Sequence, residues 1–361
     1  MGNIFDYIKW RDIELEKVEF NKIDSLILSR FSYLPFDGLI EENEKITIKE
    51  CYERAEIVGE FWNFLMKADI ELFPTVAKSK RFGNLLISDF VNKIDKKKDM
   101  QFSAITVHLP DKTIAVVFRG TDNTFVGWKE DLNMCFSTSV PAQLDAVEYL
   151  EKVYEKYKKN MIVIGHSKGG NLAIYSAVFC KEKAKKKILD VYNFDGPGFM
   201  DEIIDSKEYG EMLNKIHNVI PESSIVGRML KHKGELTIVK STEKGIMQHD
   251  LYSWQILGDE FIKSKLTKSS EFVDNTLTEW LKNVSPEQRK NFINIVFEIL
   301  ETTGATTFSE LNQRKFATAK TIITKYQALD EESKKYVNKA LNMFLVSGKD
   351  SIPLKIKKSN S

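Results

Sequence analysis

One short run of sequence constrains this chain more than any other: an apolar segment, a glycine-rich turn and a second apolar segment follow one another directly. Met161–Ile164 is apolar, Gly165–Gly170 reads GHSKGG, and Asn171–Cys180 is apolar at helical spacing. The pattern predicts a buried strand, a tight turn and a buried helix. The turn matches G-x-S-x-G, which in this context is typical of a serine raised above a sheet edge. The alternatives are a glycine-rich turn with an incidental serine and a phosphate-binding loop, although Lys168 stands on the wrong side of the glycines for the latter.

The surrounding segments alternate between strand and helix patterns. Gln101–His108 and Thr113–Phe118 are apolar and β-branched, and a Pro-Asp-Lys turn separates them, so they predict a hairpin. Ala142–Lys158 has apolar residues at helical spacing. Three further strands are predicted: Ile188–Phe194, Ile216–Ile220 and Glu235–Val239. This order predicts an α/β fold with a mainly parallel sheet that helices cover on both faces.

Both ends of the chain have mainly helical patterns. Before residue 100, Ile46–Lys67 and Leu85–Ile94 are predicted helices, and the charged run Asp95–Asp99 predicts a loop. Beyond residue 265, Ser285–Gln288 is a capping box that opens a helix closed by Gly304. Two more helices are predicted there: Phe308–Leu329 and Glu331–Leu345. We therefore expect a helical N-terminal region (1–100), an α/β core (101–264) and a helical C-terminal extension (265–361).

Composition excludes several classes of protein. Lys plus Arg number 53 and Asp plus Glu 52, so the formal net charge of +1 gives no electrostatic case for nucleic acid as a partner. No run of 18 apolar residues is present, which excludes a transmembrane helix. The N-terminus lacks the apolar core of a secretory signal. Three scattered cysteines favour neither disulfides nor a zinc site, so we expect a reduced, cytoplasmic setting.

Ser167 is the candidate nucleophile, and a serine hydroxyl needs a base to become reactive. In proteins with this turn the chain order is serine, acid, histidine. Three histidines follow Ser167, and only His249 lies in a loop after the last predicted strand. His217 falls within a strand and His232 in a lysine-flanked loop. We therefore expect His249 to be the general base.

Two carboxylates remain candidates for the acid. Asp195 directly follows the strand after the serine-bearing turn, and its Asp-Gly-Pro-Gly setting is also an ordinary turn signature. Glu222 follows the next strand, which is the more usual position. The sequence narrowly favours Asp195.

An acyl-transfer site also needs hydrogen-bond donors for a developing oxyanion. One donor is expected to be the backbone N–H of Lys168, and the other to be Thr121, in the loop Arg119–Asp122 after an earlier strand. Arg119 and Asp131 are expected to form a structural ion pair that fixes this loop. This chemistry needs no metal or organic cofactor.

Several ordered motifs resemble one known family. Phe118–Thr121, Trp128–Leu132 and Gly165–Gly170 resemble the signature of class 3 lipases. The closer resemblance is to a bacterial branch of that superfamily, the Mbeg1-like family. That likeness also includes the segments Asn193–Phe199, Ser224–Gly227, Gln248–Trp254 and Phe20–Phe36.

The resemblance implies an α/β-hydrolase fold and an esterase or lipase-type activity on small-molecule or lipid esters. It maps Ser167 to the nucleophile, His249 to the base and Thr121 to the oxyanion hole. The sequence departs from class 3 lipases where they carry their acid, because residues 222–226 read ESSIV. Two alternatives stay open: a non-catalytic binding protein on a hydrolase fold, and a thioesterase or peptidase that uses the same triad.

Overall fold

The computed structural model describes residues 2–59, 64–122, 124–134, 137–268, 270–271, 284–307, 310, 323–335 and 337–338. Within these residues eight strands form one sheet, and their spatial order follows their order in the chain. The strands are β1 Lys45–Thr47, β2 Leu86–Asp95, β3 Met100–His108, β4 Ile114–Phe118, β5 Met161–His166, β6 Ile188–Phe194, β7 Ile216–Pro221 and β8 Leu236–Val239. Strands β1 to β4 pair antiparallel, and β4 to β8 run parallel.

Helices cover both faces of this sheet. In chain order they are α1 Ile4–Trp10, α2 Lys22–Phe31, α3 Ile48–Val58, α4 Asp69–Lys78, α5 Phe125–Asn133, α6 Pro141–Tyr157, α7 Lys168–Phe179, α8 Glu182–Lys185, α9 Asp201–Ile204, α10 Lys207–Met212 and α11 Pro286–Glu301. A short hairpin, β9 Ile256–Leu257 and β10 Glu260–Phe261, follows β8. No helix in the described part of the chain is long and apolar enough to cross a membrane.

Alternate residues of the central strands enter two separate apolar cores. On β4, Ala115 and Val117 pack with residues of α1 to α4, whereas Val116 and Phe118 pack with residues of α6, α7 and α10. Because side chains alternate across a strand, an unbroken apolar run is what a strand buried on both faces requires. The architecture is that of the α/β-hydrolase fold, and the predicted mainly parallel sheet is confirmed.

The predicted helix at Leu85–Ile94 is wrong, because this segment forms most of β2. Its pairing with β3 is interrupted by a bulge between Ser88 and Val91, where Asp89 has φ 54°. A bulge breaks the two-residue alternation of a strand, so the apolar residues fall at intervals that imitate a helix. The loop predicted at Asp95–Asp99 is a turn over residues 96–99 that joins β2 to β3.

The predicted helix at Ile46–Lys67 is too long at both ends. Thr47 ends β1 and caps α3, and its hydroxyl and the Glu50 carboxylate form a capping box. The helix ends at Gly59, whose φ of 63° is left-handed. Residues 60–63 lie outside the described residues.

The capping box predicted at Ser285 is confirmed: the Ser285 hydroxyl accepts the N–H of Gln288 and opens α11. The two helices predicted after it lie largely outside the described residues, although residues 323–327 and 331–335 are helical. Strands β1 and β2 precede residue 100 and belong to the central sheet. The division of the chain at residues 100 and 264 stays a prediction.

Candidate active site

Ser167 occupies a sharp turn between β5 and α7. Its backbone has φ 58° and ψ −134°, a left-handed conformation that costs energy for any residue except glycine. The flanking glycines allow this turn: a Cβ at Gly165 would lie 2.0 Å from the Gly169 carbonyl oxygen, and one at Gly169 would lie 2.2 Å from the Phe118 oxygen. The G-x-S-x-G spacing is therefore a steric requirement of the turn.

The turn places Ser167 at the N-terminus of α7. Its carbonyl accepts the N–H of Gly170 at 2.9 Å, and its own N–H donates to Phe194 at 2.9 Å. The first N–H groups of a helix have no acceptor within that helix, and they carry partial positive charge. The N–H of Lys168, at the first position of α7, is one of these groups.

His249 and Asp195 form a hydrogen-bonded pair. His249 ends a 3-10 turn, Gly245–His249, and its Nδ1 lies 2.6 Å from Oδ2 of Asp195. Asp195 follows β6 and is buried, and its other oxygen accepts the Gly227 N–H at 3.1 Å and the Ser224 hydroxyl. Because a carboxylate only accepts, this contact places a proton on Nδ1 and leaves Nε2 for a second partner.

Glu222 is not brought to His249. Its carboxylate accepts the hydroxyl of Ser264, and its backbone N–H donates to Val239 at 3.0 Å. Of the two carboxylates that the sequence left open, the geometry therefore joins only Asp195 to the histidine.

The Ser167 turn and the His249 loop meet through His166. The rings of His166 and His249 lie 4.5 Å apart, and Nε2 of His166 donates to the His249 carbonyl at 2.9 Å. In the described part of the chain, the hydroxyl of Ser167 makes no direct hydrogen bond to the His249 ring. Such bonds are often long in unliganded enzymes and shorten when substrate binds.

His166 is itself held by the N-terminal region. The hydroxyl of Tyr33, just after α2, donates to Nδ1 of His166 at 2.9 Å. Burial, together with the nearby charges of His249 and Arg30, lowers the pKa of His166 well below its ordinary value. A neutral His166 has one donor and one acceptor, and this arrangement uses both.

A buried ion pair extends this support. Nε of Arg30 donates to Asp69 Oδ1 at 2.8 Å, and the Tyr252 hydroxyl donates to the same oxygen at 2.7 Å. The Arg30 guanidinium lies 4.6 Å from the centre of the Tyr33 ring and 5.4 Å from that of Tyr252. These side chains connect α2 and α4 to the segment that carries His249. Sequence reasoning did not identify them, and the only signals were the likeness to the family of Phe20–Phe36, which contains Arg30 and Tyr33, and of Gln248–Trp254, which contains Tyr252.

Two of the resembling segments also support the His249–Asp195 pair. Ser224–Gly227 supplies the two donors to Asp195. In the segment Gln248–Trp254, the Gln248 side chain accepts the Ser223 N–H at 2.7 Å, and the Trp254 indole donates to the Gln248 carbonyl at 2.8 Å. The segment is thus fixed on both sides of His249.

The loop after β4 lies directly against Ser167. A Cβ on Gly120 would come within 3.0 Å of the Ser167 Cβ, so only glycine allows this approach. The hydroxyl of Thr121 donates to Asp131 Oδ2, which leaves its backbone N–H as the group that it can offer a ligand. The predicted Arg119–Asp131 ion pair is wrong: Arg119 donates to Asn92 at 3.0 Å and lies 3.6 Å from the Asp122 carboxylate.

The side chain of Lys168 turns into the protein. Its ammonium is fully buried, donates to Gln101 at 2.8 and 2.9 Å, and pairs with Glu130 Oε2 at 3.0 Å. Sequence reasoning considered only the backbone N–H of this residue, because a charged side chain after the serine gives no sign that it is buried.

A protein-family model described as Mbeg1-like matches residues 76–298. Among solved structures, a Rhizomucor miehei lipase with its propeptide is 19% identical with a TM-score of 0.37, and the match covers 60% of this chain and 66% of the lipase, just under two thirds of its length. A triacylglycerol lipase from Penicillium expansum is 14% identical (TM-score 0.32, 47% and 72% covered). The M37 lipase is 13% identical (TM-score 0.36, 59% and 71% covered). No curated protein matches the chain.

Proposed function

Because the chain belongs to the Mbeg1-like family, we propose that its α/β-hydrolase fold carries a serine hydrolase that cleaves carboxylic esters through an acyl-enzyme on Ser167. One observation carries this proposal: the His249–Asp195 pair, at 2.6 Å, lies beside a turn that holds Ser167 at φ 58°. A nucleophile on a strained turn, a histidine and a buried carboxylate are the parts that this reaction requires.

In the first step, Nε2 of His249 removes the proton of the Ser167 hydroxyl while its oxygen attacks the ester carbonyl carbon. Asp195 holds His249 in the tautomer with Nδ1 protonated and stabilises the imidazolium that forms. The tetrahedral intermediate then collapses, and His249 returns the proton to the departing alcohol. Ser167 is left as an acyl ester.

The negative oxygen of the intermediate is stabilised by the backbone N–H groups of Lys168 and Thr121. The first belongs to the open N-terminus of α7, and the second to the loop that Gly120 brings against Ser167. Each donor contributes about 3 to 4 kcal/mol to lowering the barrier. Water then attacks the acyl carbon, with His249 as the base, and releases the acid.

We propose small-molecule or lipid esters as the substrate class and a cytoplasmic setting. The setting is supported by Cys51 and Cys180, which form no disulfide, as in proteins of a reducing compartment.

The test is labelling with a fluorophosphonate probe and hydrolysis of p-nitrophenyl esters of increasing chain length. We expect the wild type to be labelled, and Ser167→Ala and His249→Ala to lose both labelling and hydrolysis. His217→Ala is the matched control, because His217 forms a half-exposed pair with Asp190 at 2.7 Å and should keep both.

An unlabelled wild type, or equal labelling of Ser167→Ala, overturns the proposal and favours a binding protein on this fold. A wild type that is labelled but cleaves thioesters in preference to esters moves the activity to the thioesterase class.

A further inference from the structure

The Lys168 ammonium joins three elements around the candidate nucleophile. Lys168 begins α7, and its Nζ donates to the backbone and side-chain oxygens of Gln101 on β3 and pairs with Glu130 on α5. Glu130 in turn accepts the N–H of Gln101 at 3.0 Å and that of Ala142, at the start of α6, at 2.9 Å. One buried charge pair therefore fixes α5 to β3, to the start of α6 and to the start of α7, which directly follows Ser167.

A buried ion pair is weak evidence of stabilisation, because removing two charges from water can cost more than their attraction returns. An apolar side chain could fill the same space without that cost. The effect of the pair therefore lies in the positions of the elements that it joins, and the contacts of α5 indicate which position that is.

Two contacts lead from Lys168 to Thr121. Asp131 Oδ1 lies 3.8 Å from Nζ of Lys168, and Asp131 Oδ2 accepts the Thr121 hydroxyl. Gly127 makes the second contact: a Cβ there would meet Thr121 Cγ2 at 2.7 Å and Gln101 Oε1 at 3.2 Å. The amide that binds Lys168 and the methyl of Thr121 thus meet at one position on α5.

We propose that Lys168 is a positioning residue, which sets the Thr121 N–H relative to Ser167 through Asp131, Gln101 and α5. The inference rests on the proposed function, since the geometry matters only if an oxyanion forms there. The residue that directly follows Ser167 would then position the second oxyanion donor.

Lys168→Met keeps the length of the side chain and removes its charge. Active sites are counted by fluorophosphonate labelling, and kcat is expressed per labelled site. We expect this kcat to fall roughly 10- to 100-fold, because a Thr121 N–H displaced by a fraction of an ångström stabilises the transition state poorly. KM should stay within about twofold, since the oxyanion is absent from the ground state. A residue that only stabilises the fold would lower the number of titratable sites and leave kcat per site unchanged.

A double-mutant cycle with Thr121→Ala tests the route. Thr121→Ala removes the hydroxyl that Asp131 holds, so adding Lys168→Met should lower kcat little further. If the loss in kcat of the double variant equals the product of the losses of the two single variants, Lys168 does not act through Thr121, and the inference is overturned. Lys152→Met, in an exposed pair with Glu148, is the matched lysine control and should match the wild type.

If Lys168→Met does not fold, Asp131→Asn replaces it in the same cycle, because it removes the charge that faces Lys168 and retains an acceptor for Thr121. If fluorophosphonate labels the wild type but the kcat of Lys168→Met, or of Asp131→Asn where it is used, is unchanged, this inference alone is overturned. A wild type that is neither labelled nor active overturns the proposed function and the inference with it.

Discussion

At the scale of single residues, Asp195 explains most about the site. It is fully buried, yet three donors satisfy its carboxylate: the His249 ring, the Ser224 hydroxyl and the Gly227 N–H. Buried charges are tolerated when hydrogen bonds replace the lost water. A carboxylate held this firmly orients a histidine with little loss of entropy, which is what a catalytic acid must do.

Asp195→Asn is the prediction that separates the two acid candidates. The amide fills the same space but cannot stabilise an imidazolium, so we expect kcat for ester hydrolysis to fall by about 10³- to 10⁴-fold. Glu222→Gln is the matched control and should retain near wild-type activity. If Glu222→Gln is the slower variant, Glu222 and not Asp195 is the acid.

Sequence reasoning proposed Ser167 and His249 because both follow from local pattern and chain order. It left the acid open, because the chain order does not show which loop turns toward His249. It missed His166, Tyr33 and the buried side chain of Lys168. Their roles depend on contacts between segments far apart in the chain, and no local pattern carries that information.

At the scale of elements, strands β3 to β8 were predicted closely, whereas β1, β2 and the hairpin β9–β10 were not. Strand β4 is an apolar run without irregularity, and its predicted bounds differ from the observed ones by one residue. In β2, the bulge at Asp89 moves the polar positions out of alternation. Its pairing with β3 overrides the local pattern, and sequence periodicity does not reveal such a pairing.

The turn between β5 and α7 gives a prediction about stability. Gly165→Ala would place a methyl 2.0 Å from the Gly169 carbonyl, so the turn must open. We expect a loss of about 3 kcal/mol or more in the free energy of unfolding, at the upper end of overpacking. Urea denaturation followed by circular dichroism measures it.

Gly210, within α10, is the matched control for that substitution. A Cβ there would meet no atom within 4 Å, so Gly210→Ala should raise stability by about 0.5 to 1 kcal/mol through helix propensity. Equal losses in both variants would show that the Gly165 contact is not responsible.

At the scale of the whole molecule, the buried His166 and the half-buried His108 and His232 contribute to the response to acid. Burial lowers the pKa of His166 well below its ordinary value, and it lowers those of His108 and His232 to about 4. The unfolded chain takes up these protons near pH 6.5, while the folded chain does not. The unfolded state therefore binds more protons between about pH 6.5 and 4, and stability is lost as the pH falls through that window.

Asp131 and Asp250 act in the opposite direction, because burial raises the pKa of Asp131 to about 6 and that of Asp250 above its ordinary value. Their folded forms gain a proton before the unfolded chain does, which offsets part of the loss. With three histidines against these two carboxylates, we expect the free energy of unfolding to fall between about pH 6.5 and 4.5. Each histidine contributes up to about 1.4 kcal/mol per pH unit.

Urea unfolding at about pH 7 and pH 5 checks this expectation, and His232→Gln should reduce the difference between the two. A free energy of unfolding that is constant or rises toward pH 5 would contradict it.

The hydrogen bonds from Tyr33 to His166 and from His166 to the His249 carbonyl determine which residues a recombinant protein needs for an activity assay. The family match begins at residue 76, which makes that position a tempting place to start a recombinant fragment. Such a fragment would lack Arg30, Asp69 and Tyr33, and with them the anchor of the histidine segment. Inactivity of such a fragment would reflect the loss of these residues and would not show that the full chain lacks hydrolase activity. Activity should therefore be assayed on proteins that contain helices α1 to α4.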